Sequence, residues 1–303
     1  MKTYLTAVLA TLIGVGLAVP QGVKMSLNME VLEQGKDVYF DSILNLIRNI
    51  EIPDIYLPGD DNDYMIGNSF EINERVNEVE IYPDVENNAV VMKCSKLSAS
   101  FFTEHFRYKA LPLIVAKGHA EVDMNTVSIG VGLKFGVQTL ADGRTVPSVE
   151  AVDLLVDIDR WDIRISIWGN LVTDFASLFE VFFKGTVVDL IQETVTLTLQ
   201  EGIPAVTNKV MQYTDGYFPV PLIKDWVVDW ETPQAAVVTS AAFEIGVRGL
   251  LFDKVFGEED PGVTVPTMPY RTATDMDGFQ MYVSSYTMDS TMASLIEVVD
   301  VKG

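Results

Sequence analysis

The sequence predicts an α+β fold in which long antiparallel hairpins lie between two helices. Three observations carry this. Apolar residues recur with a helical period across 22–48, alternate with period two from Tyr64 to about Ile167, and return to a helical period from Trp168 to about Leu199. From Pro219 onward the chain is proline-punctuated and strand-like.

In the first segment Leu32, Tyr39, Ile43, Leu46 and Ile50 fall on one helical stripe, which Phe40, Leu44 and Ile47 widen, while Glu33, Lys36, Asp37 and Asp41 fall outside it. Pro53 disfavours helical geometry in Ile52, so this helix is expected to end near Asn49. Gly59–Asp63 reads as a polar turn. Met65–Tyr82 and Asn88–Phe106 then read as long strands separated by Pro83–Asn87.

The clearest alternation is Val127, Ile129, Val131, Leu133, Phe135 and Val137 against Ser128, Gly130, Gly132, Lys134 and Gly136. Ala120, Val122 and Met124 alternate in the opposite parity. The phase slip at Asn125-Thr126 therefore predicts a tight turn and a hairpin. Three glycines on one face predict strong bending or close approach by something bulky. Asp142-Gly143 marks another turn, with strands at Val149–Ile158 and Trp161–Ile167.

The second helix is expected from Trp168 to about Leu199, where Gly202 and Pro204 interrupt. It is apolar over most of its circumference and carries four Phe between Phe175 and Phe183. Such a helix must be covered on nearly all sides, by a curved sheet or beside an apolar cavity. Strands are expected at Lys224–Trp230, Val237–Phe252 and Phe279–Tyr286.

Composition bounds the function. Apolar residues make up 48% of the 303 and charged residues 21%, as in a globular chain. The net charge is −22 although the mean hydropathy is positive, a pairing that an acidic surface around a large apolar interior reconciles. With 21 basic residues against 43 acidic ones and no basic cluster, nucleic acid is excluded as a partner. Lys2, the apolar stretch Leu5–Leu17, and small residues at Gly16 and Ala18 read as a secretory signal over 1–18, too short to span a membrane. The expected location is extracellular. Cys94 is the single cysteine, so no internal disulfide can form, and its apolar neighbours predict a buried thiol.

No catalytic constellation is present: no G-x-S-x-G elbow, no phosphate-binding glycine loop, no H-E-x-x-H, no C-x-x-C. His105 and His119 cannot build a histidine-rich metal site. Asp60–Asp63 lacks the glycine and distal glutamate of a calcium loop. The expectation is a protein that is not an enzyme and uses no metal or cofactor.

The order of elements resembles the N-terminal half of the family of bactericidal/permeability-increasing protein, lipopolysaccharide-binding protein and plasma lipid-transfer proteins. The residues that carry it are Gly22–Met25, Leu32–Gly35, Asn49–Ile55, the hairpin Gly118–Phe135, the Gly143–Pro147 turn and Trp161–Ser166. Val247–Phe252 and Met281–Tyr286 continue it toward the end of the chain. Cysteines that the family commonly pairs, near Val149–Leu154 and Leu199–Pro204, are absent here.

The resemblance implies an elongated barrel, a strongly curved antiparallel sheet wrapped around two long helices with an apolar lipid slot between. That slot would be lined by Leu32, Tyr39, Ile43, Leu46, Ile47, Phe175, Leu178, Phe179, Phe182, Val187, Leu190 and Ile191. The ligand would be a phospholipid or other acyl lipid, carried without bond chemistry and exchanged in transient membrane contact. Two alternatives stand beside it: lipopolysaccharide recognition in innate defence, and a structural secreted protein with a filled interior. The acidic Pro58–Asp63 loop, with only Arg107, Lys109 and Lys117 nearby, argues against the first of these.

The resemblance divides the chain into a barrel over 19–219 and a tail over 220–303 leading toward a second barrel. Strands at Ile223, Val227, Val237, Phe243, Ile245 and Val247 are then expected to lack partners. A helix through Met292, Leu295 and Ile296 would be bare, and the tail is expected either to form a homodimer or to be proteolytically labile while Gly22–Pro219 resists.

Overall fold

A computed structural model describes residues 21–48, 50, 52–56, 63–75, 79–111, 114–169, 176–220, 223–257, 268–269 and 278–302. The signal-like segment and the Asp60–Asn62 part of the acidic loop lie outside these. The chain divides into two compact units. The larger holds 30–134 and 150–206; the other holds the N-terminal segment through Met29, 135–149 and 207–303.

The larger unit is built on a seven-stranded antiparallel sheet. Its strands are β2 (Ile55–Tyr56), β3 (Tyr64–Arg75), β4 (Val79–Asp84), β5 (Ala89–Leu111), β6 (Ile114–Thr139), β7 (Thr145–Ile158) and β8 (Ile163–Gly169). The order is β2-β3-β5-β6-β7, with β4 on β5 and β8 on β6. The turn expected at Asn125-Thr126 is not there, because β6 runs straight through it. Leu97 pairs with Val127 and Ala99 with Met124, so Asn125 and Thr126 stand opposite Ser98 alone. This is a β-bulge.

A bulge inverts the parity of a strand without reversing the chain. Val122 and Met124 before it and Val127, Ile129 and Val131 after it are therefore buried on the same face. β5 compensates with its own irregularity at Ser95-Lys96, where Lys96 takes a φ of 60°. The turn that does occur here, Asp159–Asp162, joins β7 to β8. It clasps the bulge: the Asn125 amide donates to the Asp162 carbonyl, and the Asp159 amide to the Thr126 carbonyl. Among the described residues no pairing closes the sheet on itself, so it is open where the resemblance implies a barrel.

Two long helices accompany this sheet. Helix α1 (Met29–Ile47) begins after Asn28, a residue type favoured just before a helix. It starts later than the sequence period suggests, because Val23–Asn28 is the strand β1. Helix α2 (Ala176–Tyr213) does not stop at Gly202 or Pro204. It also excludes Trp168, which lies on β8.

Proline inside a helix removes one hydrogen bond and costs about 3 kcal/mol. Here the buried flanking residues Leu199 and Ile203 oppose that cost. The helix ends where the backbone can leave it: Asp215 takes a φ of 50°, its amide donates to the Gln212 carbonyl, and the Gly216 amide donates to Met211. This is a Schellman termination.

The second unit holds two small sheets and helix α3 (Ser285–Lys302). One sheet has the order β11 (Val237–Val238), β12 (Ala242–Val247), β1, β14 (Phe279–Val283). The other is β13 (Leu251–Asp253), β10 (Trp226–Asp229), β9 (Tyr217–Pro219). The strands expected to lack partners therefore have them. Phe243, Ile245 and Val247 pair with Leu27, Met25 and Val23, and Val227 pairs with both Phe252 and Pro219. The error traces to one reading: once Val23–Asn28 is taken as helix, β12 and β14 lose the strand that joins them.

A buried ion cluster binds the three-stranded sheet to its surroundings. The Asp229 carboxylate has no exposed surface. It accepts from Arg248 Nη1 at 3.1 Å and from the Glu231 amide at 2.8 Å, with Arg144 Nη1 at 3.7 Å. Arg144 also donates to Asp142 at 2.7 Å and lies 4.1 Å over the Tyr217 ring. Burial works against its charge, and the Asp142, Tyr217 and Asp229 groups more than offset that, leaving Arg144 raised.

Candidate functional site

The apolar interior of the larger unit is the candidate site. On α1 the buried residues are Phe40, Ile43, Leu44 and Ile47, spaced i, i+3, i+4, i+7 as one helical face. On α2 the buried stripe is Val187, Ile191, Val195, Leu199 and Ile203, each four residues from the next, with Val188 beside it. On the sheet, Leu97, Phe101, Ile129 and Val131 have no exposed surface. Burying a large aliphatic or aromatic side chain stabilises by roughly 1.5–3 kcal/mol, so these faces hold the unit together. They can offer a ligand dispersion contact and dry surroundings. They offer no nucleophile and no proton donor.

The expected lining residues fall into four groups. Ile43, Ile47, Val187 and Ile191 are buried in the interior. Leu32, Leu46 and Leu190 are half-buried. Tyr39 turns outward, 41% exposed, and lies over Gly35, where an added Cβ would meet its ring at 2.7 Å. The aromatic turn is not placed: Phe175 lies outside the described residues, as do the side chains of Leu178, Phe179 and Phe182.

The centre of the α1 face is Phe40 and Leu44, one step round the helix from the stripe drawn through Leu32, Tyr39 and Leu46. The signal for this was present, since Phe40-Ile43-Leu44-Ile47 is the tighter apolar quartet. On α2 Val195 and Leu199 lie within the expected helix but were not drawn into the stripe, and Ile203 lies beyond its expected end.

Asp63, expected in a solvated turn, is 4% exposed. It accepts from Arg107 Nη1 at 2.8 Å and from the Lys109 amide at 3.0 Å. His119 stacks on Trp168, with ring centroids 5.1 Å apart and planes 17° from parallel. Cys94 is a buried free thiol. Among the described residues no three His, Cys, Asp or Glu converge to hold a metal ion, and no helix is long and apolar enough to cross a membrane.

No family model matches the chain, and no curated protein sequence does. Solved structures do. Epiphyas postvittana Takeout 1 aligns at 14% identity over 59% of this chain and 90% of its own, with a TM-score of 0.37, too loose a superposition to define a fold. The crystal structure of lipopolysaccharide binding protein aligns at 16% identity over 88% of this chain, with a TM-score of 0.63. This chain has the fold of lipopolysaccharide binding protein and spans 57% of that protein's length.

Proposed function

We propose that this chain is a secreted carrier that holds the acyl part of a lipid in the interior of its larger unit and performs no bond chemistry. The observation that carries the reading is the pair of wholly apolar faces on α1 and α2, in a chain with the fold of lipopolysaccharide binding protein. An acyl chain needs no charged partner, since each buried methylene contributes about 0.8 kcal/mol. In this reading 1–18 is the export signal, 19–219 wraps the ligand, and loading and unloading occur in brief contact with a membrane.

A lipopolysaccharide-directed role fits less well. It needs cations free for phosphate, and of the three near the β5–β6 end Arg107 is already paired with buried Asp63. The chain as a whole carries −22.

The test is solvent extraction of the purified protein with mass spectrometry of the extract, beside uptake of a fluorescent fatty acid. Acyl lipid is expected in the extract. Phe179→Asp and Leu190→Asp are expected to lose uptake while circular dichroism stays native. A folded chain that carries no lipid and takes up no fatty acid would overturn the reading in favour of a filled, structural interior.

A further inference from the structure

We propose that the outward face of the seven-stranded sheet carries a second site, for a small zwitterion with an apolar side chain, of the kind a free amino acid provides. The starting point is the glycine face of β6. Val127, Ile129 and Val131 point into the core, so Gly130 and Gly132 fall on the outward face, where they put no side chain of their own and are covered by neighbouring ones. Neighbouring side chains stand close over them: an added Cβ would lie 3.3 Å from Leu155 Cβ at Gly130 and 3.0 Å from Val152 Cγ2 at Gly132.

Gly130 floors a cavity of about 350 Å³, walled by Tyr82, Val91 and Lys93 on one side and by Asp153 and Leu155 on the other. That volume lies at the low end for small-molecule clefts, too small for a two-tailed lipid.

The charges decide the ligand. Asp84, on the rim, is engaged: it accepts from the Asn87 side chain at 2.8 Å and the Asn87 amide at 3.2 Å. These bonds hold its carboxyl below the usual aspartate range. Among the described residues the side chains of Lys93 and Asp153 have no hydrogen-bond or ion-pair partner, though they line one cavity. They are not within the 4.0 Å of a salt bridge to each other.

A simple anion would meet two carboxylates here, and a simple cation would meet the Lys93 ammonium. A molecule with both groups answers both: its carboxylate toward Lys93, its ammonium toward Asp153, its side chain against Tyr82, Val91 and Leu155. None of these residues belongs to the interior assigned to the acyl chain, so the two sites stand or fall separately.

The test is an amide NMR titration of the full chain with L-leucine and L-phenylalanine to about 10 mM, because screened, exposed charges imply millimolar affinity. Phenethylamine, which is phenylalanine without the carboxylate, and 4-methylpentanoate, which is leucine without the ammonium, are the controls. Shifts are expected at Lys93, Gly130 and Asp153 for the zwitterions, with each control binding roughly two- to fivefold more weakly. Lys93→Met and Asp153→Asn, both at exposed or half-exposed positions, are expected to lose a similar factor. Gly130→Val fills the floor and is expected to remove binding. No shifts with the zwitterions, equal binding of the half-ligands, or unchanged affinity in Lys93→Met would each overturn the site.

Discussion

The two principal sheets of this molecule are built the opposite way round. In the seven-stranded sheet, alternate residues obey the ordinary rule: Leu97, Phe101, Ile129 and Val131 are fully buried, while Lys93 and Ser128 on the other face are only half-buried. In the sheet of β1, β11, β12 and β14 the buried face carries Lys24, Ser26 and Glu244, and Lys24 Nζ meets Glu244 Oε2 at 2.9 Å. The apolar face, with Met25, Leu27 and Ile245 half-buried, opens at β14, where Phe279, Met281 and Val283 are 53%, 56% and 44% exposed. Period-two alternation thus identifies a strand in both sheets, but the rule that the apolar face lies inside holds in only one of them. Burial follows from what each face packs against.

Breaking the comparison at its strongest point means removing the same side chain from each sheet. Phe101→Ala is expected to cost about 3–5 kcal/mol, a transfer term plus a cavity. Phe279→Ala is expected to change stability by about 0.5 kcal/mol or less, as surface substitutions do. Urea unfolding of the two variants checks this. Similar losses would mean that the β14 face is covered in solution.

Next in size is the buried ion pair. Removing one partner leaves an uncompensated buried charge, so Lys24→Met is expected to cost about 3 kcal/mol or more. The double change Lys24→Met with Glu244→Met is expected to recover most of that, because two matched apolar side chains carry no desolvation penalty. Denaturant midpoints of the two singles and the double form the cycle. Additive losses would show that the pair is more solvated than its burial implies.

The exposed apolar residues of β14 and α3 sharpen the comparison differently. Met288, Met292 and Ile296 on α3 and Met281 on β14 are 56–62% exposed. If a second copy covers this surface, Met281→Lys is expected to lower the sedimenting mass at a given concentration while leaving the thermal midpoint nearly unchanged. Unchanged mass would remove the homodimer. Trypsin is not expected to release the tail, because β12 and β14 pair with β1 at the opposite end of the chain.

How much of this was legible depends on range. Local alternation marked β5, β6 and β7, and the apolar quartet around Ile43 marked α1. Two features needed information from elsewhere in the chain. At Asn125-Thr126 the parity slip was visible, but a bulge and a hairpin turn leave the same trace. Only the partner strand, with Leu97 on Val127 and Ala99 on Met124, distinguishes them.

At Val23–Asn28 the alternation V-K-M-S-L-N was present, but its meaning lay more than 200 residues away in β12 and β14. The interior site was legible as an apolar stripe and not as a register: Tyr39, drawn inside, faces out, and Phe40 beside it is fully buried. The ion cluster around Asp229 joins residues spread from Asp142 to Arg248, a spacing with no sequence signature.

The smallest expected effect lies at the bulge, where the larger sheet keeps its alternation in phase. Asp162 accepts from Thr126 Oγ1 at 2.7 Å and from Asn125 Nδ2 at 3.1 Å, and these two bonds hold its carboxyl below the ordinary aspartate value of 3.8. A carboxyl lowered by folding contributes stability above its unfolded pKa, and that contribution is lost as pH falls through the folded value. Asp162→Asn is therefore expected to cost a little at neutral pH. The gap to the parent should narrow as pH drops below about 3.8. Asp162 is solvent-exposed, so salt should weaken the effect too. Thermal midpoints of parent and variant from pH 7 to 3, at low and high salt, measure it. No gap at any pH would mean that the turn stabilises the bulge through its backbone bonds alone, and that the phase of β6 is set by strand pairing and not by the side chains that clasp it.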